Sequence, residues 1–185
     1  MSVELIILNL ALIFFFLLMI LFTILIYLNI FYIARLKVPP LSTGGKALKK
    51  ILENVDFKSK KKFYDLGSGS GKLISCVANR FPNLECTGIE YNPVAYFFAK
   101  IRNIFSKQKV DYRRNDFFET DLGNVDIIYT YLFPGVMNRL ETKFSNELKK
   151  GTLVVANSFS LKSKEPKAVF KGKIGGLDTI YIYEY

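Results

Sequence analysis

The chain has 185 residues, half of them hydrophobic, with 26 Lys and Arg against 16 Asp and Glu and a formal net charge of +10. It contains no histidine, which excludes a Ser-His-Asp triad, a Cys-His pair and any His-ligated metal site. Its two cysteines, Cys76 and Cys86, lack a C-x-x-C spacing and read as small buried apolar residues in a reducing compartment. No metal site is expected.

From Leu5 to Ala34 there is no charged residue. As a helix this stretch would span about 45 Å, more than the ~30 Å of a hydrocarbon core, so the pattern predicts one tilted or protruding transmembrane helix. A cleavable signal peptide fits less well: the run is too long, Glu4 stands where lysines would, and Phe31-Tyr32-Ile33 is bulky where cleavage wants small residues. All 26 basic residues, and all acids except Glu4, lie from Arg35 onward. That asymmetry predicts a single-pass protein with its N-terminus outside and the rest on the cytoplasmic or an equivalent side. Basic residues scattered without an aromatic ladder suit anionic headgroups and give no nucleic-acid module, so the bilayer is the expected partner and nucleic acid is not.

Arg35 to Pro40 forms a linker of about six residues reaching about 20 Å, which keeps the C-terminal part of the chain near the bilayer surface. Ser42 or Thr43 is placed to cap a helix with an apolar stripe of Ala47, Leu48, Ile51, Leu52 and Val55, weakened at its first turn by Gly44 and Gly45. Phe63, Tyr64 and Leu66 then form a short strand that runs into Gly67-Ser68-Gly69-Ser70-Gly71. Leu73, Ile74, Val77, Ala78 and Phe81 fall on one helical face, and Leu84 to Ile89 returns to strand composition and ends at Glu90. This is a right-handed βαβ unit with a glycine loop at its first turn.

A dinucleotide fingerprint is a weakened reading of the loop, because Lys72 stands where the third glycine belongs. A phosphate-binding P-loop is weakened too, because Leu66 and Leu73 stand where glycine and Ser or Thr are needed. Downstream, Asn92-Pro93 starts a helix carrying Val94, Ala95, Phe98, Ile101 and Phe105 at helical spacing. Val110 to Arg113 is a third strand ending in Asn115-Asp116-Phe117, and Val125 to Leu132 a fourth, apolar enough to be central. Pro134 starts a helix through Val136, Leu140, Phe144 and Leu148, and Thr152 to Asn157 is a fifth strand. Two more strands, around Ala168 to Lys171 and Thr179 to Tyr183, are joined across Gly175-Gly176.

D-L-G-S-G-S-G followed by an acid closing the next strand resembles motif I and the following acidic position of class I S-adenosylmethionine-dependent methyltransferases. The resemblance implies an α/β fold with a mostly parallel, Rossmann-like sheet and a C-terminal antiparallel hairpin, and the uncharged run predicts one transmembrane helix before it. Together these readings give an anchor over 1–35, a linker and leading helix over 36–60, and an S-adenosylmethionine-binding domain over 61–185. The resemblance further implies that Asp65, Gly67, Gly69 and Gly71 surround the methionine moiety, that Ser68 also binds the cofactor, and that Glu90 holds both ribose hydroxyls. Asp116 would contact the adenine amino group, with Phe117 and Tyr91 beside the ring. The chemistry agrees, since a carboxylate accepts two hydroxyl hydrogen bonds and a sulfonium tolerates nearby carboxylates where a pyrophosphate would not.

With the N-terminal apolar helix, the V-P-P-L-S-T segment, Y-L-F-P-G-V and L-K-K-G-T-L-V-V-A-N-S-F, the chain is similar to membrane-anchored lysine methyltransferases of the ATP synthase c subunit and the adenine nucleotide translocase. Pro40 and Ser42-Thr43 depart slightly from that family's pattern. The implied acceptor is a lysine of a membrane protein, with Tyr129, Tyr131 and Phe133 lining its channel by hydroxyl and aromatic contacts. Methylation of a membrane-associated small molecule or lipid headgroup, and a non-catalytic assembly protein that keeps the fold, stay open as alternatives.

Overall fold

The computed structural model describes residues 2–36, 42–172 and 177–185. The linker residues Lys37 to Pro40 and the turn at Gly175-Gly176 lie outside that range. The chain divides into two units, Met1–Pro39 and Pro40–Tyr185.

The first unit is one helix, α1 (Val3–Leu36). Over Val3–Tyr32 it is long and apolar enough to cross a bilayer, and its most apolar stretch is not buried. Thr23 folds its hydroxyl back onto the Met19 carbonyl at 2.8 Å, which satisfies that donor without water.

The second unit is built on a seven-stranded sheet. Its strands are β1 (Lys62–Leu66), β2 (Glu85–Ile89), β3 (Asp111–Arg113), β4 (Ile127–Thr130), β5 (Leu153–Asn157), β6 (Ala168–Phe170) and β7 (Ile180–Glu184), in the order β3-β2-β1-β4-β5-β7-β6. The first five are parallel, and β7 enters antiparallel between β5 and β6. The expected mostly parallel sheet with an antiparallel C-terminal pair is present.

Three helices contribute to the core on one face: α2 (Gly45–Asn54), α3 (Lys72–Arg80) and α4 (Pro93–Ile104). On the other face α5 (Pro134–Glu147) buries Met137, Leu140 and Phe144 against Leu66, Ile128 and Val154. The β3 to β4 and β5 to β6 connections contain no helix. The second of these is instead tied down by polar groups. The Glu141 carboxylate accepts the backbone N–H groups of Lys162, Ser163 and Lys164, and the Tyr183 hydroxyl accepts that of Leu161. Backbone donors left by a missing helix are thereby satisfied.

Two local expectations are corrected. The residue capping α2 is Gly44, with no side-chain cap; the Thr43 hydroxyl turns away and bonds Tyr129 at 2.7 Å. On α4, the helix and its Asn92 cap are where expected, with the Asn92 side chain accepting from the N–H of Val94 and of Ala95. Its apolar stripe, however, is buried only at its start, at Val94. Phe98, Ile101 and Phe105 are exposed, and Ala99 reaches the core in their place.

Candidate cofactor and acceptor site

Parallel pairing lines up the C-terminal ends of β1, β2 and β4, so residues far apart in sequence share one row. Tyr112 pairs with Gly88, Gly88 with Asp65, and Asp65 with Tyr129. Beyond the ends of β1 and β2 the chain turns sharply. Gly67, Gly69 and Gly71 all take positive φ, the left-handed region in which glycine carries no Cβ penalty.

Gly71 has a second reason to be glycine. A Cβ there would lie 2.0 Å from the Tyr112 hydroxyl oxygen. The Tyr112 ring crosses Gly88, where a Cβ would meet it at 2.8 Å, and its hydroxyl donates to the Gly71 carbonyl at 3.3 Å and bonds Ser75 at 3.1 Å. The third strand thus reaches under the loop through two positions without side chains. Burial, eased by the Ser75 bond, pushes the Tyr112 phenol up to about 12.

Two carboxyls are buried here, Asp65 and Glu90. Glu90 accepts the N–H of Gly69 at 2.8 Å on Oε2 and that of Asn92 at 2.7 Å on Oε1, so it clasps the glycine loop to the start of α4. Burial raises its pKa, and those backbone donors work against the rise. Asp65 is pushed up to about 8, first by burial and then by the Glu90 charge. Each ionised carboxylate oxygen has two lone pairs, so Glu90 keeps acceptor capacity beyond its two backbone bonds.

The site also has polar groups that the fold leaves unused. Ser68 Oγ in the loop and Thr130 Oγ1 at the end of β4 are buried without a hydrogen-bond partner. A buried hydroxyl without a partner is costly, and a ligand carrying donors and acceptors removes that cost. Positive-φ glycines, an unpartnered loop hydroxyl and two raised carboxyls fit a cofactor with ribose hydroxyls and a cationic sulfonium; the set is poorly suited to a polyphosphate.

Asp116 stands beyond β3, half-buried, and its Oδ1 accepts the Phe118 N–H at 2.8 Å in a turn. Phe117 packs on the α5-side core and against Phe118, whose ring carries Arg139 at 3.9 Å. Tyr91 is 40% exposed beside Glu90.

The β4 and β5 ends have a different character. Tyr129 is buried, and its hydroxyl bonds Thr43 at 2.7 Å and accepts from the Asn157 amide at 3.0 Å. Burial raises its pKa against those two bonds. Tyr131 and Phe133 are half-buried and both face Phe159, at centroid distances of 6.3 and 5.2 Å. Ser158 joins β5 to Phe159 with φ of 65°, strained for a side chain other than glycine. Asn157, Phe159 and Tyr112 were not among the sequence-predicted site residues. The N-S-F tripeptide at the end of the fifth strand carried the signal for the first two, because ligands in open parallel sheets bind at that edge.

Residues 65–168 match the family model described as the ANTKMT methyltransferase domain. A protein-lysine N-methyltransferase from Saccharolobus islandicus (strain REY15A) is 30% identical over 149 residues, covering 79% of this chain and 92% of that protein. The adenine nucleotide translocase lysine N-methyltransferase of Mus musculus is 28% identical over 153 residues, 81% of this chain, which spans 64% of the mouse protein. Among solved structures, an RNA methyltransferase from Salinibacter ruber in complex with S-adenosyl-L-homocysteine superposes with a TM-score of 0.72 at 25% identity, covering 78% of this chain and 93% of that one. On these matches the chain belongs to the family of the ANTKMT methyltransferase domain, and it is an S-adenosylmethionine-dependent methyltransferase.

Proposed function

We propose that the chain is a membrane-anchored protein-lysine N-methyltransferase whose acceptor is a lysine of a membrane protein. The observation that carries the lysine reading is the match to a protein-lysine N-methyltransferase along 92% of that relative's length. The anchor reading rests on α1, whose apolar surface has no partner within its own unit and is long enough to cross a bilayer. The charge asymmetry about α1 supports an N-terminus outside and the catalytic unit on the cytoplasmic or equivalent side.

In this reading Asp65, Gly67, Ser68, Gly69 and Gly71 hold the methionine portion of the cofactor, Glu90 the ribose, and Asp116, Phe117 and Tyr91 the adenine. The bound cofactor supplies a methyl group already activated on sulfur. What the chain must add is alignment, removal of water and an uncharged amine. Tyr131 and Phe133, with Phe159, form an aromatic wall that suits the stem and head of a lysine. Tyr129 acts as a positioning residue: its hydroxyl fixes the segment before α2 to the ends of β4 and β5. With no histidine in the chain, the acceptor amine loses its proton through desolvation beside a cationic centre. The rate should therefore rise with pH above neutral.

The test is transfer of labelled methyl from the cofactor, by full-length enzyme, into detergent-extracted membranes of cells lacking this gene. A labelled hydrophobic protein with its methyl on a lysine is the expected result. Label confined to lipid extracts overturns the protein acceptor. Label in RNA, the acceptor class named for the Salinibacter structure and one that the positive charge also suits, favours that second reading.

A further inference from the structure

The exposed stripe of α4 is apolar and aromatic: Phe97, Phe98, Ile101, Ile104 and Phe105, with Ile104 69% and Phe105 84% exposed. At 3.6 residues per turn these five fall within an arc of about 120°. The opposite arc holds Ala99, half-buried Tyr96 and Asn103, and Asn103 exchanges two hydrogen bonds with the Val110 backbone, at 2.9 and 3.0 Å. The helix thus turns an asparagine inward and its phenylalanines outward. A contiguous apolar face of this kind marks an interaction surface.

Its borders are cationic. Lys100 lies at one edge of the arc and Arg102 at the other, and exposed Lys107 and Lys109 follow the helix. Among the described residues no acid lies on α4 or within this border. An apolar helix face rimmed by Lys and Arg complements the acyl and headgroup boundary of an anionic bilayer.

We infer that the Phe97–Phe105 face of α4 docks into the headgroup region of an anionic lipid bilayer. The inference rests on the proposed anchor: between α1 and α2 lie only residues 37–44, with a reach of at most about 28 Å, so the catalytic unit cannot leave the membrane surface. Docking has a consequence for the active site. Arg102 Nε donates to the Ser70 carbonyl at 2.9 Å, and α4 begins at the residue whose N–H Glu90 accepts. A lipid-seated α4 therefore holds the glycine loop at a fixed height above the bilayer surface.

The test uses full-length protein in nanodiscs of acyl-brominated lipid, with a fluorophore on one introduced cysteine, Phe105→Cys or Phe16→Cys, in a Cys76→Ser, Cys86→Ala background that still binds the cofactor. In phosphatidylglycerol-rich discs both probes should be quenched. The Phe105→Cys probe alone should lose that quenching several-fold in purely zwitterionic discs, and likewise with Lys100→Glu and Lys107→Glu. Quenching at position 16 without quenching at 105 overturns the docking and leaves the anchor standing. Absence of quenching at both overturns the docking together with the anchor. A 105 probe shielded from iodide yet untouched by brominated lipid shows that a protein, such as a second copy, covers the face, and also overturns it.

Discussion

The two strand-loop-helix units at the cofactor end, β1 to α3 and β2 to α4, look alike in sequence and differ in what their helices do. Each strand ends near a buried carboxyl, Asp65 or Glu90, and each helix carries an apolar stripe. The stripe of α3 is core: Leu73, Ile74, Val77 and Ala78 are buried under the sheet. The stripe of α4, beyond Val94 at its start, is surface. Periodicity identifies a helix, but only the balance of partners decides which of its faces goes inward. Under β2 and β3 the space is taken by the Tyr112 ring, and the loop before β3 needs donors and acceptors that Asn103 supplies.

The sharpest way to break the first unit is Gly71→Ala. Its φ of +75° costs an alanine about 1–2 kcal/mol, and the new Cβ would sit inside contact distance of the Tyr112 ring and hydroxyl, adding about 1–3 kcal/mol of overpacking. A fall in Tm of about 6–12 °C and loss of cofactor binding are expected, by thermal denaturation and calorimetry. If Gly71→Ala is instead silent, Tyr112 does not occupy the space beside Gly71.

Asp65 offers a test through pH. Its folded carboxyl is raised to about 8 from 3.8, so the cofactor-free fold keeps a proton that the unfolded chain releases. This contribution to stability is therefore fully present below about pH 4 and is lost as pH climbs through 8, an effect on the order of a few kcal/mol. Denaturation of the cofactor-free protein across that range should show the decline, and Asp65→Asn should flatten it. Binding a cationic cofactor favours the ionised carboxylate, so calorimetry near pH 7 in buffers of different ionisation enthalpy should register proton release. A slope equal in wild type and Asp65→Asn assigns the titration to another group.

Glu90 sharpens the second unit in the same way. Glu90→Ala removes the acceptor for the Gly69 and Asn92 N–H groups as well as the proposed ribose ligand, and should weaken cofactor binding by about 1.5–3 kcal/mol, roughly 10- to 150-fold. Unchanged affinity in a folded variant removes Glu90 from the site.

Much of the fold is legible in the sequence because the relevant rules are local. A glycine loop between apolar strand and apolar helix, an Asn-Pro helix start and a Val-rich fifth strand each carry their own geometry, and together they place the sheet and its cofactor end. What is not legible depends on groups meeting across the sheet. Thr43 reads as a helix cap because hydroxyls before a helix commonly cap it, yet Tyr129, 86 residues away in sequence, takes its hydroxyl. Gly71 reads as room for a ligand, and Tyr112 supplies a second reason from a strand 41 residues on. The Phe98, Ile101 and Phe105 stripe reads as packing because apolar residues at helical spacing usually are buried.

The α4 stripe gives the smallest effect and the cleanest contrast. On α4, Asn103→Ala leaves the Val110 N–H and carbonyl without their side-chain partner and should cost about 1–2 kcal/mol, although it removes only a polar amide. Phe105→Ser deletes a phenyl ring, which in a core would cost about 3–5 kcal/mol. At 84% exposure the ring contributes little to the fold, and the change should stay within about 0.5 kcal/mol in urea denaturation of the detergent-solubilised chain. The two substitutions lie half a turn apart on one helix, so differences in helix propensity are small beside the predicted gap. Should Phe105→Ser prove as costly as a core deletion, the stripe packs against protein in solution, and the reading of α4 as a helix with its apolar face left outside the fold is wrong.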